Sequence, residues 1–181
     1  MPIEPSEKPV SPSGESPEVY PPSIRHALNA ADGYLDLGMW DDAERELAGL
    51  PPGARSAYPA ALLDYRLASG RREWPRAVAI ARRLREARPD RPDPWILLAY
   101  AERRAATIES AREILLAARD QFPREATICY NLACYECQLQ RTREAARLLE
   151  QALALDPGFR DIALRDADLE PLWPDLKDEP P

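Results

Sequence analysis

Histidine is almost missing from this chain: His26 is the single one among 181 residues, beside three cysteines and seven glycines. One histidine excludes the zinc-binding pair H-E-x-x-H, and the glycines form neither a phosphate-cradling loop nor a G-x-S-x-G elbow. A lone histidine at the start of a helix, next to Arg25, reads as a surface residue and not as a ligand. Long apolar runs are missing too. The longest, WILLAYA from Trp95 to Ala101, falls far short of the ~20 residues of a membrane span. The start, MPIEPSEKPV, has neither a basic opening nor an apolar stretch, so no secretory signal is expected. Three cysteines without such a signal fit a reducing compartment, and the expected location is cytoplasmic. No segment alternates as a strand would. Carboxylates are plentiful, but they lie on polar helix faces among arginines placed to pair at i, i+4. These absences argue against an enzyme, and no cofactor or metal is expected.

Charge is also missing from where nucleic-acid binding would need it. The net charge is −7, yet residues 1–22 carry four acids against one base, and residues 161–181 carry seven against two. The acidity belongs to the ends, and the middle is left at +1. A neutral middle gives no sign of a nucleic-acid or membrane-surface partner.

What is present begins with proline. Seven prolines fall within residues 1–22, mixed with Ser and Glu, so this stretch is expected to be a disordered leader, partly polyproline-II. After Pro22 the pattern turns helical. ARRLREARPD, SAREILLAARDQFP and EAARLLEQALALDP place apolar residues at i, i+3 and i+4, in a composition rich in Ala, Leu, Arg and Glu. Prolines in GLPPGA, SGRREWP, RPDRPDP and FPRE break the pattern into segments of helix length.

The segments repeat. Ala43, Ala77, Ala111 and Ala145 stand 34 residues apart, as do Pro89, Pro123 and Pro157, and as do Trp40, Trp74 and Ile108. Two units carry a longer pattern: Trp95-x2-Leu98-Ala99, then Ala111-x3-Leu115 and Pro123; and Cys129-x2-Leu132-Ala133, then Ala145-x3-Leu149 and Pro157. A first unit reads Ala27-x2-Ala30-Ala31-x2-Tyr34, then Ala43-x3-Leu47. Small residues let two helices approach, large ones fill the space beside them, and proline ends the second helix. The arrangement resembles the tetratricopeptide repeat (TPR) family over residues 23–158. The resemblance implies an all-α, right-handed α-solenoid of four helix–turn–helix repeats. The run YNLACY, followed by FRDIALRDADLEPLW, is similar to the closing module of bacterial TPR proteins.

Two departures from the pattern carry expectations of their own. In the first unit Pro51–Pro52 should end the second helix early. In the second unit Asp64 and Tyr65 occupy the slots for leucine and a small residue, which suggests a first helix shifted by one or two positions. Residues 159–181 should form a C-terminal capping helix, then a one-turn segment anchoring Leu169, Leu172 and Trp173, because a solenoid must cover its last apolar face. LKDEPP is expected to be a free acidic tail.

Cys134 and Cys137 form a C-x-x-C pair. They fall inside a helix with no strand before it, and Cys129 supplies a third thiol without a fourth ligand. Redox or metal-responsive chemistry at Cys134 and Cys137 therefore stands as an alternative reading, and self-association through open repeat edges as another. The favoured expectation is a non-catalytic adaptor. In the family, first helices line a concave groove that holds a peptide. The slots 34 apart are then Leu28, Leu62, Ile96 and Tyr130; Asp32, Arg66, Tyr100 and Cys134; and Leu35, Ser69, Arg103 and Cys137, with Arg104 and Gln138 at the lip. Tyrosine and arginine are common at binding hot spots. The candidate partner-binding residues are thus Leu62, Arg66, Ile96, Tyr100, Arg103, Arg104, Tyr130, Cys134 and Cys137, and the arginines imply a protein or peptide ligand with acidic groups. The family's clamp for a C-terminal carboxylate uses Lys, Asn and Arg; those slots hold Leu28, Asp32, Asp93 and Leu97 here. That ligand is not implied.

Overall fold

A computed structural model of the chain describes residues 20–178, so the proposed leader lies largely outside the described residues, as do the last three positions. The chain divides after Pro89 into two compact units. The first contains α1 (Pro22–Asp36), α2 (Trp40–Gly49), the one-turn α3 (Pro52–Arg55), α4 (Tyr58–Gly70) and α5 (Trp74–Ala87). The second contains α6 (Asp93–Ala105), α7 (Ile108–Gln121), α8 (Ala126–Gln138), α9 (Thr142–Leu155) and α10 (Phe159–Ala163). It closes with a 3-10 helix (Ala167–Leu172) and α11 (Trp173–Asp178). The described residues are all-α, and each unit packs two helix–turn–helix pairs: α1 on α2 and α4 on α5, then α6 on α7 and α8 on α9. This is the construction of a helical-repeat protein with a capping element.

The period survives into the structure. The second helices of the four pairs begin at Trp40, Trp74, Ile108 and Thr142, each 34 residues after the last. Ala43, Ala77, Ala111 and Ala145 are fully buried, because a larger side chain there would hold the paired helices apart. The turns repeat as well. Gly38, Arg72 and Gln140 take left-handed φ of 69°, 59° and 61°, and the next residue donates back to the helix in each: Met39 to Tyr34 O, Glu73 to Ala68 O and Arg141 to Glu136 O, all at 2.8 Å. The third turn differs. Thr107, extended, accepts from the Ser110 N–H at 3.1 Å and caps α7 with its side chain. Helix α2 does stop early, at Gly49, before Pro51–Pro52, and α3 fills the gap.

The shift expected in α4 does not occur at its C-terminal end. Arg72 and Glu73 keep the turn in strict register, and Tyr65 is buried in the slot that Ala31, Ala99 and Ala133 fill elsewhere. Later in the helix, at Gly70, an added Cβ would lie 2.5 Å from the Trp40 ring. The two departures, a large residue in a small slot and a glycine one turn later, therefore occur in the same short helix.

In the second unit α8 is buried along almost its whole length, Ala126 to Cys137, with Thr127 alone half-buried. A helix apolar and buried all round needs neighbours on every side. Helices α7 and α9 supply two of them, and the 3-10 helix supplies another. Leu169, Leu172 and Leu176 enter the same core cluster as Tyr130, Cys134 and Leu148. The expected capping helix is thus α10, and the one-turn anchor is the 3-10 helix, with the Trp173 indole N–H donating to Ala163 O at 2.8 Å. The tail is shorter than expected: α11 runs through Asp178 and buries Leu176.

Candidate functional site

The nine candidate residues fall in both units, and the two units treat them differently. In the first, Leu28 and Leu62 are half-buried and Asp32 is exposed, while Leu35 and Ser69 are buried. Arg66, partly exposed, is held by Asp32 one repeat earlier and by Asp36. A guanidinium so engaged is oriented and largely neutralised, with both acids exposed to solvent.

In the second unit the expected open face is covered. Ile96, Tyr100, Tyr130, Cys134 and Cys137 are all buried. What covers them is the chain itself. Phe159 stacks on Tyr130 with ring centroids 4.8 Å apart. The Tyr130 hydroxyl donates to Asp166 Oδ2 at 3.0 Å, and the Cys134 thiol lies 3.6 Å from the same oxygen. The other oxygen of Asp166 accepts from the Asp168 N–H at 3.1 Å and caps the 3-10 helix. Arg103 reaches Asp168 at 2.9 Å and lies 5.3 Å over the Tyr135 ring. Arg104 folds back on its own helix, 3.5 Å over the Tyr100 ring and donating to Tyr100 O at 3.2 Å.

Burial decides the chemistry of the thiols. Desolvation pushes Cys129, Cys134 and Cys137 above the ordinary thiol range, Cys137 to about 11, and the carboxylates of Asp166 and Asp168 add to the effect at Cys134 and Cys137. The thiolate is the nucleophile and the metal ligand, and this environment withholds it. The same desolvation raises the Tyr130 and Tyr135 phenols. Among the described residues no three of His, Cys, Asp and Glu gather as a metal site. The geometry gives the redox or metal-responsive reading of Cys134 and Cys137 no support.

Sequence reasoning did not reach three residues that organise this face. Asp166 and Asp168 appeared only as part of an acidic end, although the spacing D-x-D-L between apolar residues was a signal. Glu136 carried no expectation of its own. It is fully buried, paired with Arg112 on α7 and with Arg141 at 3.4 Å. A buried carboxylate needs such partners.

No protein-family model matches the chain, and no curated protein matches it. No helix among the described residues is long and apolar enough to cross a membrane.

Proposed function

We propose that this chain is a non-catalytic interaction scaffold of TPR type, whose first helices bind a peptide or partner protein. The single observation that carries the reading is the use already made of one such surface. The face of α6 and α8 holds a short acidic segment by a phenol, a guanidinium and apolar contact. A surface that holds a peptide of its own chain has the chemistry to recognise peptide. The 34-residue period supports membership of the TPR family, with a bacterial, cytoplasmic protein as the corresponding setting.

Affinity capture from extract of the native cell tests the proposal, with Arg66→Glu and Arg103→Glu chains as controls. The expected result is a protein retained by the native chain and lost from one of the two variants. Retention of the same set by all three chains would sink it.

A further inference from the structure

The segment that covers the inner face of the second unit resembles a ligand more than a simple lid. Two of its acids meet two different donors, Tyr130 for Asp166 and Arg103 for Asp168. The next residue, Leu169, is fully buried, and Leu172 three positions on is nearly so. The donors belong to first helices of successive pairs, Arg103 to α6 and Tyr130 to α8. Charge, hydrogen bonding and apolar anchorage are thus matched at a fixed spacing, Asp-x-Asp-Leu-x-x-Leu, across a surface provided by two repeats.

We propose that this face is a binding site for an acidic, leucine-bearing peptide of that spacing, and that Asp166–Leu172 is its tethered resident, which a partner segment of the same chemistry displaces. The inference rests on the interaction role proposed above and names its ligand. The tether explains why such a site can exist closed. A segment joined to α9 through the short α10 competes at a local concentration on the order of millimolar. A free peptide therefore sees only the fraction of molecules whose site is vacant, and its apparent affinity falls by that fraction. Arg103 contributes selectivity for acid, and Tyr130 reads an acceptor two residues before the one that Arg103 holds. Leu169 and Leu172 add apolar anchorage at the same fixed spacing.

The test uses a labelled peptide with the sequence of residues 165–176 and the full chain. Asp168→Asn removes the charge from one anchor and keeps Leu169, so it loosens the resident while leaving the core filled. The peptide should bind this chain about tenfold more tightly than the native one, the factor by which losing one charge-assisted contact raises the vacant fraction. Adding Arg103→Glu should cancel the gain, and a peptide with the aspartates of positions 166 and 168 changed to asparagine should bind about tenfold more weakly. Equal binding to native and Asp168→Asn chains, or binding indifferent to Arg103, would overturn the proposal. Hydrogen exchange guards against a folding artefact. Residues 159–176 should exchange faster in Asp168→Asn while α6 and α7 keep native protection, and loss of protection throughout the unit would make the segment structural and overturn the proposal too. A protein retained by the native chain with affinity unchanged by Asp168→Asn and Arg103→Glu would leave the scaffold role standing and remove the tethered ligand. Peptide binding without any retained protein would do the reverse.

Discussion

The two units start from one repeat and end with opposite inner faces. In the first, the slots of Leu28, Asp32, Leu62 and Arg66 remain partly open, and the charges answer one another across adjacent first helices. In the second, the equivalent slots of Ile96, Tyr100, Tyr130 and Cys134 are buried, and residues 159–176 pack over Tyr130 and Cys134. The difference follows from side chains. Asp32 and Arg66 are costly to take out of water even as a pair, so a cover over them would gain little. Tyr130 and Cys134 are apolar enough to bury, and each carries a weak polar group that Asp166 satisfies. A shared period thus sets where helices lie, and the residues in its slots set whether the face stays open.

Substitutions can break this contrast. The largest effect is expected where a leucine is removed from the covered face. Leu169→Ala should destabilise the second unit by about 2 to 5 kcal/mol, as buried leucine truncations do. Leu62→Ala, on the half-buried face of the first unit, should cost about 1 kcal/mol by denaturant titration. Equal losses would mean that the two faces are equally filled. Ion pairs should show the same division. Arg112→Ala leaves the fully buried Glu136 with only the longer contact to Arg141 and should cost about 3 kcal/mol. Arg66→Ala breaks exposed pairs and should cost about 0.5 kcal/mol.

Gly70→Ala sharpens the comparison from the first unit's side. The added methyl would meet the Trp40 ring, and a loss of about 1 to 3 kcal/mol is expected, as for other overpacked contacts. Thermal melting checks it; a gain from better helix propensity would show that Trp40 moves aside freely. The mildest effect concerns pH and belongs to the second unit, which holds all three cysteines. Because the folded Cys137 thiol titrates near 11, above its unfolded value of 9.0, its contribution to stability is complete below about pH 9 and is lost as pH rises toward 11. Denaturant midpoints measured under reductant should fall over that window, and Cys137→Ala should lessen the fall, the rest coming from the other buried thiols and phenols.

The sequence carried the period because the slots that keep it, Ala43, Ala77, Ala111 and Ala145, are dictated by how closely paired helices approach. The early stop of α2 was legible in Pro51–Pro52 for an equally local reason. The register of α4 was not, because Tyr65 stands in a slot that Ala31, Ala99 and Ala133 fill elsewhere and is nonetheless buried there. The inner face of the second unit was half legible. Tyr130 and Arg103 could be placed on the inner face from their slots, and the structure sets the segment of Asp166 and Asp168 against them. That the segment is the chain's own could not be read, since Asp166 and Asp168 look like any acidic end until the 3-10 helix turns them inward. Cys134 and Cys137 taught the converse: their spacing advertised chemistry, and their burial withholds it.

Thiol labelling of the native chain with a maleimide, read by intact mass, tests the covered face most directly. Cys129, Cys134 and Cys137 should all stay unlabelled over times in which the denatured chain takes three labels, whereas a Leu62→Cys chain should take one label at the open face of the first unit. Rapid native labelling at Cys134 or Cys137 would mean that the inner face of the second unit is open and would contradict the account.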